Sequence, residues 1–456
     1  MTIELNVGER LKAIEENLWL VDIEEILRTK HFPVYVEGHG IYLRDSEGKE
    51  YIDGTSGNWC TSLGHGNRKI IKAIEEQLEK VQYPLPSHSD VSLRLCQRIA
   101  EVTPGDLNRV SLSLHGSDAN EVALSIARSY FKSQGKNNSM VIARWHGYHG
   151  NTLAAVSVTS LPTLKGLHGR DLATVNSGVY HMFAPYCYRC AYGLEYPSCG
   201  VRCAQALDDV IKSMAPDNVA AFMGEPVLGA GGNIAPPDEY WPMIRQICDN
   251  YGILLIDDEV ITGLGRTGKL FGCDHWSVIP DIMVTAKGLT SAYLPLAAVI
   301  VRDHVYQAFK GKERPFRGHT HSFYPAGAAC ALAAIDVLME ERLWENAAKV
   351  GAHIKNRLEK ICQQSEIVGT VHGIGLMLGL EIVEDKVSKV PSPSAVAIIK
   401  RKCEDRGVLI NAGAQSGNFR HILAISPPLI ITKDESDRLC DVLTEAIKET
   451  EAEKRK

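Results

Sequence analysis

Two residues in the middle of the chain have the types and the spacing for covalent amine chemistry: Asp258 and, 29 positions later, Lys287. Each closes a short apolar run. Ile253 to Ile256 reads as a strand ending in three acids, Asp257, Asp258 and Glu259, and Ile282 to Thr285 reads as a second strand that runs into Lys287. Short β-branched and aliphatic runs alternating with loops and helices predict a parallel sheet covered on both faces. Such sheets bind ligands beyond the carboxyl ends of their strands, so the amine and the carboxylate would face one crevice. Apolar surroundings disfavour the ammonium form of lysine, which makes the amine a neutral nucleophile near neutral pH. A neutral lysine forms Schiff bases with carbonyl compounds. A carboxylate at an apolar strand end is costly without a cation against it, and a pyridinium nitrogen is such a cation. A lysine Schiff base with an acid on the ring nitrogen is the protein's side of pyridoxal phosphate chemistry. The spacing alone also fits a surface lysine and a helix-capping aspartate with no chemistry between them.

The residues around the pair narrow the choice. LLIDDEVITGLGRTG, followed by Lys287 in TAKGLTSAYLPLAAV, resembles the class III (ω-amino acid, amine:pyruvate) aminotransferases of the type I pyridoxal-phosphate fold, and the resemblance runs over nearly the whole chain. It implies an α/β architecture, with a large domain on a mostly parallel seven-stranded sheet and a smaller α+β domain. Residues 1–60 would form an N-terminal arm and part of the small domain, 61–325 the large cofactor-binding domain, and 326–456 the C-terminal small domain. The resemblance also implies pyridoxal 5'-phosphate as cofactor, held by Lys287 as a Schiff base and faced by Asp258 at the ring nitrogen.

The positioning elements follow from local pattern. Residues 8–30 have the period of an amphipathic arm helix, of the kind that packs on a partner subunit. PVYVEGHG and IYLRDSEGKEYID read as two strands, with Ser46 to Gly48 as the turn. Residues 67–102 are helical by period except at YPLPSHSD, where Pro84 and Pro86 exclude helix. VSLSLHGSDANEVALSIARSYFKS reads as strand, tight turn and helix. The unpaired first N–H groups and positive dipole end of such a helix suit a phosphate. A Gly-Ser before a helix is usually only a cap. The GS-x-AN-E match to the family assigns Gly116 and Ser117 to the cofactor phosphate.

Further site residues are carried over from the resemblance. Trp59 matches a position lining the substrate pocket, with a core tryptophan as the plain alternative. Tyr148, His149 and Gly150 match an aromatic-His-Gly motif whose ring stacks on the pyridine, and Val260 then covers the opposite face. Tyr148 also borders the substrate. His149 reads equally as a structural histidine. Glu225, with Pro226, matches a Glu-Pro pair near the cofactor, or is a buried structural acid. Thr320, five residues before Pro325, matches the threonine that reaches the phosphate in the neighbouring subunit. That match implies a homodimer, or a dimer of dimers, with shared active sites.

Two departures bear on the substrate. Ile261 stands where relatives acting on 4-aminobutyrate or ornithine carry Gln, as in the taurine, β-alanine and amine:pyruvate branch. The family's carboxylate-binding Arg, three residues before the Pro pair, is Ala424 here. Arg420, in SGNFRHILAISPP, belongs to a longer loop and could swing in to grip a carboxylate bidentately; otherwise it is a surface arginine. The implied reaction moves an amino group from an amine or ω-amino acid to an α-keto acid, pyruvate first, by a ping-pong mechanism with Lys287 as general acid/base. The same Lys and Asp also serve a decarboxylating transaminase or an amino acid epimerase. A catalytically silent relative acting as a binding protein is a third reading.

Composition agrees with an enzyme of small molecules. A chain of 456 residues, 45% hydrophobic, supports one large and one smaller core. The net charge, 49 − 55 = −6, comes without a basic stripe, which argues against nucleic acid as a partner. No run approaches the roughly 18 to 20 apolar residues of a membrane span. MTIELNVGERLKAIEE lacks a signal peptide's apolar core, so the expected location is cytoplasmic. The 12 cysteines are scattered or locally clustered, which fits a reducing compartment. Cys187, Cys190, Cys199 and Cys203 have the spacing C-x2-C-x8-C-x3-C, which resembles a structural zinc motif. Free thiols in a surface loop are the reading preferred here, so no metal is assigned.

Overall fold

The computed structural model describes residues 5–19, 32–85, 88–161, 178–312, 316, 318–412 and 420–455. Most of the second half of the expected arm helix, together with Pro86 and the loop leading to Arg420, lies outside these residues. The described part of the arm is the helix Val7–Asn17, capped by Asn6.

Strands β1 (Tyr35–His39), β2 (Tyr42–Asp45) and β3 (Glu50–Asp53) pair as an antiparallel meander. IYLRDSEGKEYID is therefore two strands rather than one, folded back at Ser46 to Gly48. The Asp45 carboxylate closes that turn by accepting from the N–H groups of Glu47 and Lys49, a local bond that competes with continued extension.

The central sheet contains β4 (Leu107–Ser113), β5 (Met140–Arg144), β6 (Val179–Met182), β7 (Val219–Gly224), β8 (Leu254–Asp258), β9 (Ile282–Thr285) and β10 (Ala297–Arg302). Its seven strands lie in the order β4-β10-β9-β8-β7-β5-β6. β10 alone runs against the other six strands, pairing antiparallel with β4 and with β9. Every residue of β7, β8 and β9 is buried, which is why their sequences are continuous apolar runs without alternation. One face packs on the helix Gly116–Ser133 through Ala119, Val122, Ala123 and Ala127. The other packs on Tyr240, Trp241 and Ile244 of the helix Tyr240–Tyr251. Burying a side chain such as Leu255 or Ile256 between these layers is worth about 1.5–3 kcal/mol each.

β8 reaches further than its apolar run suggests. Asp257 pairs with Gly224 of β7, and Asp258 with Val284 of β9. Ladder bonding to two parallel neighbours carries the strand past its last aliphatic residue, so both acids are strand residues and both are buried.

The remaining strands are β11 (Val368–Ile374), β12 (Met377–Ile382), β13 (Val408–Leu409), β14 (Asn411–Ala412) and β15 (Ile422–Ile425). Four of them form a sheet in the order β11-β12-β15-β14, while β13 joins the N-terminal meander by pairing parallel with β3. The helices Leu343–Gln364, Pro393–Asp405 and Lys433–Lys454 contribute to the core of this part of the molecule. Among the described residues, no helix is long and apolar enough to cross a membrane.

Candidate active site

Asp258 closes β8 at the carboxyl edge of the sheet and is 2% exposed. Its Oδ2 accepts from Asn120 Nδ2 at 2.8 Å and lies 2.7 Å from His149 Nδ1; its Oδ1 accepts from the Val260 N–H at 3.0 Å. A buried carboxylate needs this set of donors. A carboxylate oxygen only accepts, so this contact is a hydrogen bond when His149 Nδ1 carries a proton. The histidine is fixed in turn: its N–H donates to Thr159 Oγ1 at 2.8 Å, and its carbonyl accepts from Asn120 Nδ2 at 2.8 Å. Its Nε2 is buried and has no hydrogen-bond partner among the described residues.

Lys287 stands two residues beyond β9, at φ +38°, a conformation that a non-glycine residue adopts only where its surroundings impose it. Burial lowers the pKa of its amine from 10.5, and the positive Arg266 adds to this; Cys60, Asp258 and Glu225 pull it back. Lys287 Nζ lies 5.5 Å from the Trp59 ring centroid, and Trp59 is buried. Glu225 follows β7. Its Oε1 accepts from the Tyr148 N–H at 3.1 Å and its Oε2 from the Gly229 N–H at 2.8 Å, so this acid fastens the turn that carries Tyr148. Burial raises its pKa.

Gly116 and Ser117 open the helix that follows β4, capped by the Asp118 carboxylate, which accepts from the N–H groups of Leu114 and His115. Space here is tight. A Cβ on Gly116 would sit 3.0 Å from both γ carbons of Val260. At Gly150, where φ is +129°, it would lie 2.4 Å from Ser117 Oγ. Only glycine lets these two turns approach so closely.

Gly116, Ser117, Tyr148, His149, Glu225, Asp258, Val260 and Lys287 border one cavity of about 420 Å³, a size suited to a small ligand. Ile261 lines it as well. Trp59 is not on this wall but lies against the lysine. Thr320 is exposed and does not line the cavity, its carbonyl accepting from the Tyr83 hydroxyl. Arg420 is exposed and does not line the cavity. The four clustered cysteines line a separate narrow pocket as free thiols, but no three of their sulfurs come within 4.8 Å of one another.

Three contributors escaped sequence reasoning. Asn120, present in the AN of the quoted motif, bridges Asp258 to His149. Cys60 lines the cavity beside the lysine. Arg266, in GLGRTG, is buried without an ion pair among the described residues; it donates to the carbonyls of Leu376 and Pro427 and to the hydroxyls of Ser56 and Ser62. Burial pushes its pKa down to about 10. Charge beside apolar residues was the only available signal for it, and that does not distinguish a clamp from a surface group.

Residues 27–447 match the family described as Aminotransferase class-III. Putrescine–pyruvate aminotransferase of Pseudomonas aeruginosa is 35% identical over 434 residues, covering 93% of this chain and 92% of that protein. Taurine–pyruvate aminotransferase of Bilophila wadsworthia is 35% identical over 419 residues, covering 89% and 90%. Among solved structures, an (S)-enantioselective omega-transaminase from Thermomicrobium roseum matches with a TM-score of 0.90 at 37% identity, over 98% of this chain and 99% of that one. With its sheet of the type I arrangement and these likenesses along its length, the chain belongs to the class III aminotransferases and is a pyridoxal-phosphate-dependent transaminase.

Proposed function

We propose that the chain is an amine:pyruvate transaminase, with Lys287 and Asp258 as its reacting pair. The observation that carries the reading is their placement on the wall of one cavity, with the amine held toward its neutral form. The names of the relatives from Pseudomonas and Bilophila support pyruvate as acceptor, and the apolar Ile261 on the wall agrees. The comparisons do not favour a decarboxylating or epimerising enzyme.

The donor set fits pyridoxal 5'-phosphate. The first N–H groups of the helix Gly116–Ser133 and the Ser117 hydroxyl would hold its phosphate, in a cradle that a side chain at Gly150 would fill. Asp258 would hold a proton at the ring nitrogen, with Tyr148 and Val260 bounding the ring. When bound, the group supplies an aldehyde and an electron-accepting ring. Lys287 Nζ would take the proton from the substrate carbon that bears the amine and pass it on within that half-reaction, and would deliver a proton to the corresponding carbon of the keto acid in the second. Tyr148 and Ile261 narrow the space left for water and for the substrate's side group. Arg420 would reach in to grip the carboxylate of the keto acid and withdraw for an uncharged amine.

Thr320 supports a homodimer with shared sites, since it is exposed here and matches a threonine that faces a neighbouring subunit. The division into 1–60, 61–325 and 326–456, and a cytoplasmic location, belong to the same proposal. The test is a panel of taurine, β-alanine, 4-aminobutyrate, putrescine and 1-phenylethylamine against pyruvate and 2-oxoglutarate. Turnover with pyruvate and at least one amine is expected; turnover confined to 2-oxoglutarate would refute the acceptor, and CO2 release the reaction class.

A further inference from the structure

Of the three acids at and just past the end of β8, the site uses one. Asp257 and Glu259 flank Asp258 and are buried, at 3% and 0% exposure. Their carboxylate oxygens and the Cys273 thiol lie within 4.8 Å of one another. Glu259 is well served: Thr262 Oγ1 donates to its Oε2, and the Cys273 N–H donates to its Oε1 at 2.8 Å. Neither oxygen of Asp257 receives a hydrogen bond from any N–H or hydroxyl among the described residues. Neither acid forms an ion pair there. Two bare carboxylates so placed would repel strongly in a low-dielectric interior, and a buried carboxylate whose one facing donor is the weak thiol of Cys273 is costly. A carboxylic acid donating to the neighbouring carboxylate removes both problems, as in other close acid pairs.

We propose that Asp257 and Glu259 hold one proton between them, and that this shared proton fixes the loop that carries Val260 and Ile261 to the cofactor cavity. Glu259 is the anchor of that loop. Its side chain ties Thr262 and Cys273 together, and its carbonyl accepts from the Gly263 N–H at 3.0 Å. Asp257 acts through Glu259 and is a positioning residue. The titratable groups facing Asp257 are Glu259, Asp258 and Cys273, and Asp274 faces Glu259. The carboxylates favour retention of the proton and the Cys273 thiol opposes it; the pKa of Asp257 is raised well above 3.8, first by burial and then by Glu259. The link to the cavity rests on the reading of that cavity as the site of transamination. The proton itself does not.

The sign follows from linkage. An acid whose folded pKa is raised binds more protons in the folded than in the unfolded state between the two values, so the stability present near pH 4 is lost as pH rises toward the folded pKa. Asp257→Asn keeps a donor toward Glu259 at every pH. Infrared spectra of the intact, substrate-free protein should show a protonated carboxyl C=O band that Asp257→Asn removes. The melting temperature of Asp257→Asn should gain on the wild type as pH rises, and the alkaline fall in kcat should move to higher pH. Absence of the band in the wild type would overturn the proposal, and that measurement needs no variant to fold. So would identical alkaline limbs in wild type and Asp257→Asn, or release of one equivalent of a divalent metal on denaturation. A protein with the band but no transaminase activity would instead refute the functional reading alone.

Discussion

His149 Nδ1 lies 2.7 Å from Asp258 Oδ2, and both side chains are buried. This contact is one of three that hold the carboxylate in place at the carboxyl edge of β8. Hydrogen bonds to a charged group contribute about 1.5–3 kcal/mol. Replacing His149 by Ala should therefore lower kcat/KM by about 10- to 100-fold, with the loss shared by every amine donor. A loss confined to one donor would place His149 in substrate selection instead.

Lys287→Ala should remove essentially all transamination while leaving the fold intact by circular dichroism. Borohydride treatment of the wild-type holoenzyme, followed by digestion, should return the peptide containing Lys287 with the added pyridoxyl mass. A labelled peptide from elsewhere in the chain would reassign the amine.

The same lysine makes stability depend on pH in the cofactor-free protein. Its folded pKa lies below the ordinary 10.5 because of burial. Between the two values the unfolded chain binds more protons, so stability rises with pH across that window, and the cost of burying the charge is greatest below the folded value. Urea midpoints of cofactor-free Lys287→Met should exceed those of the wild type at pH 7, and the gap should shrink by pH 10. A constant gap would mean that the amine titrates normally.

Gly150→Ala tests the cradle. The new Cβ would meet Ser117 Oγ at 2.4 Å in a backbone conformation that L residues avoid. Local strain of about 1–3 kcal/mol should weaken pyridoxal phosphate binding by about 5- to 100-fold, read by titrating cofactor-free protein. Unchanged affinity would move the phosphate elsewhere.

Arg420→Ala should raise KM for pyruvate and leave KM for an uncharged amine such as 1-phenylethylamine nearly unchanged. Equal losses on both substrates would count against a swinging arginine.

That Gly116, Gly150 and Lys287 would meet at one cavity was legible in the sequence, because each sits in a motif of restricted residue types. At Gly116 and Gly150 a side chain would crowd its neighbours. The order of apolar runs likewise foretold a parallel sheet with Asp258 and Lys287 at one edge. Asn120 and Arg266 were harder, because each works through partners far away in sequence: Asn120 meets Asp258 across 138 positions, and Arg266 meets Ser56 across 210. Periodicity carries no signal for such bonds. The end of β8 was misjudged for a related reason, since its last two residues are held by neighbouring strands rather than by their own hydrophobicity.

The groups around the cavity hang from β4, β5, β7, β8 and β9, and β9 is flanked by β8 and by the later strand β10. No fragment that ends before Lys287 therefore holds the full set of these groups. During synthesis, capture of the vitamin-derived group must wait until residues past 302 have emerged and the reversed strand has slotted in, a non-local step of the slow kind. Uptake of colour by a refolding sample thus acts as a clock for completion of the sheet, and should lag behind the recovery of helix signal.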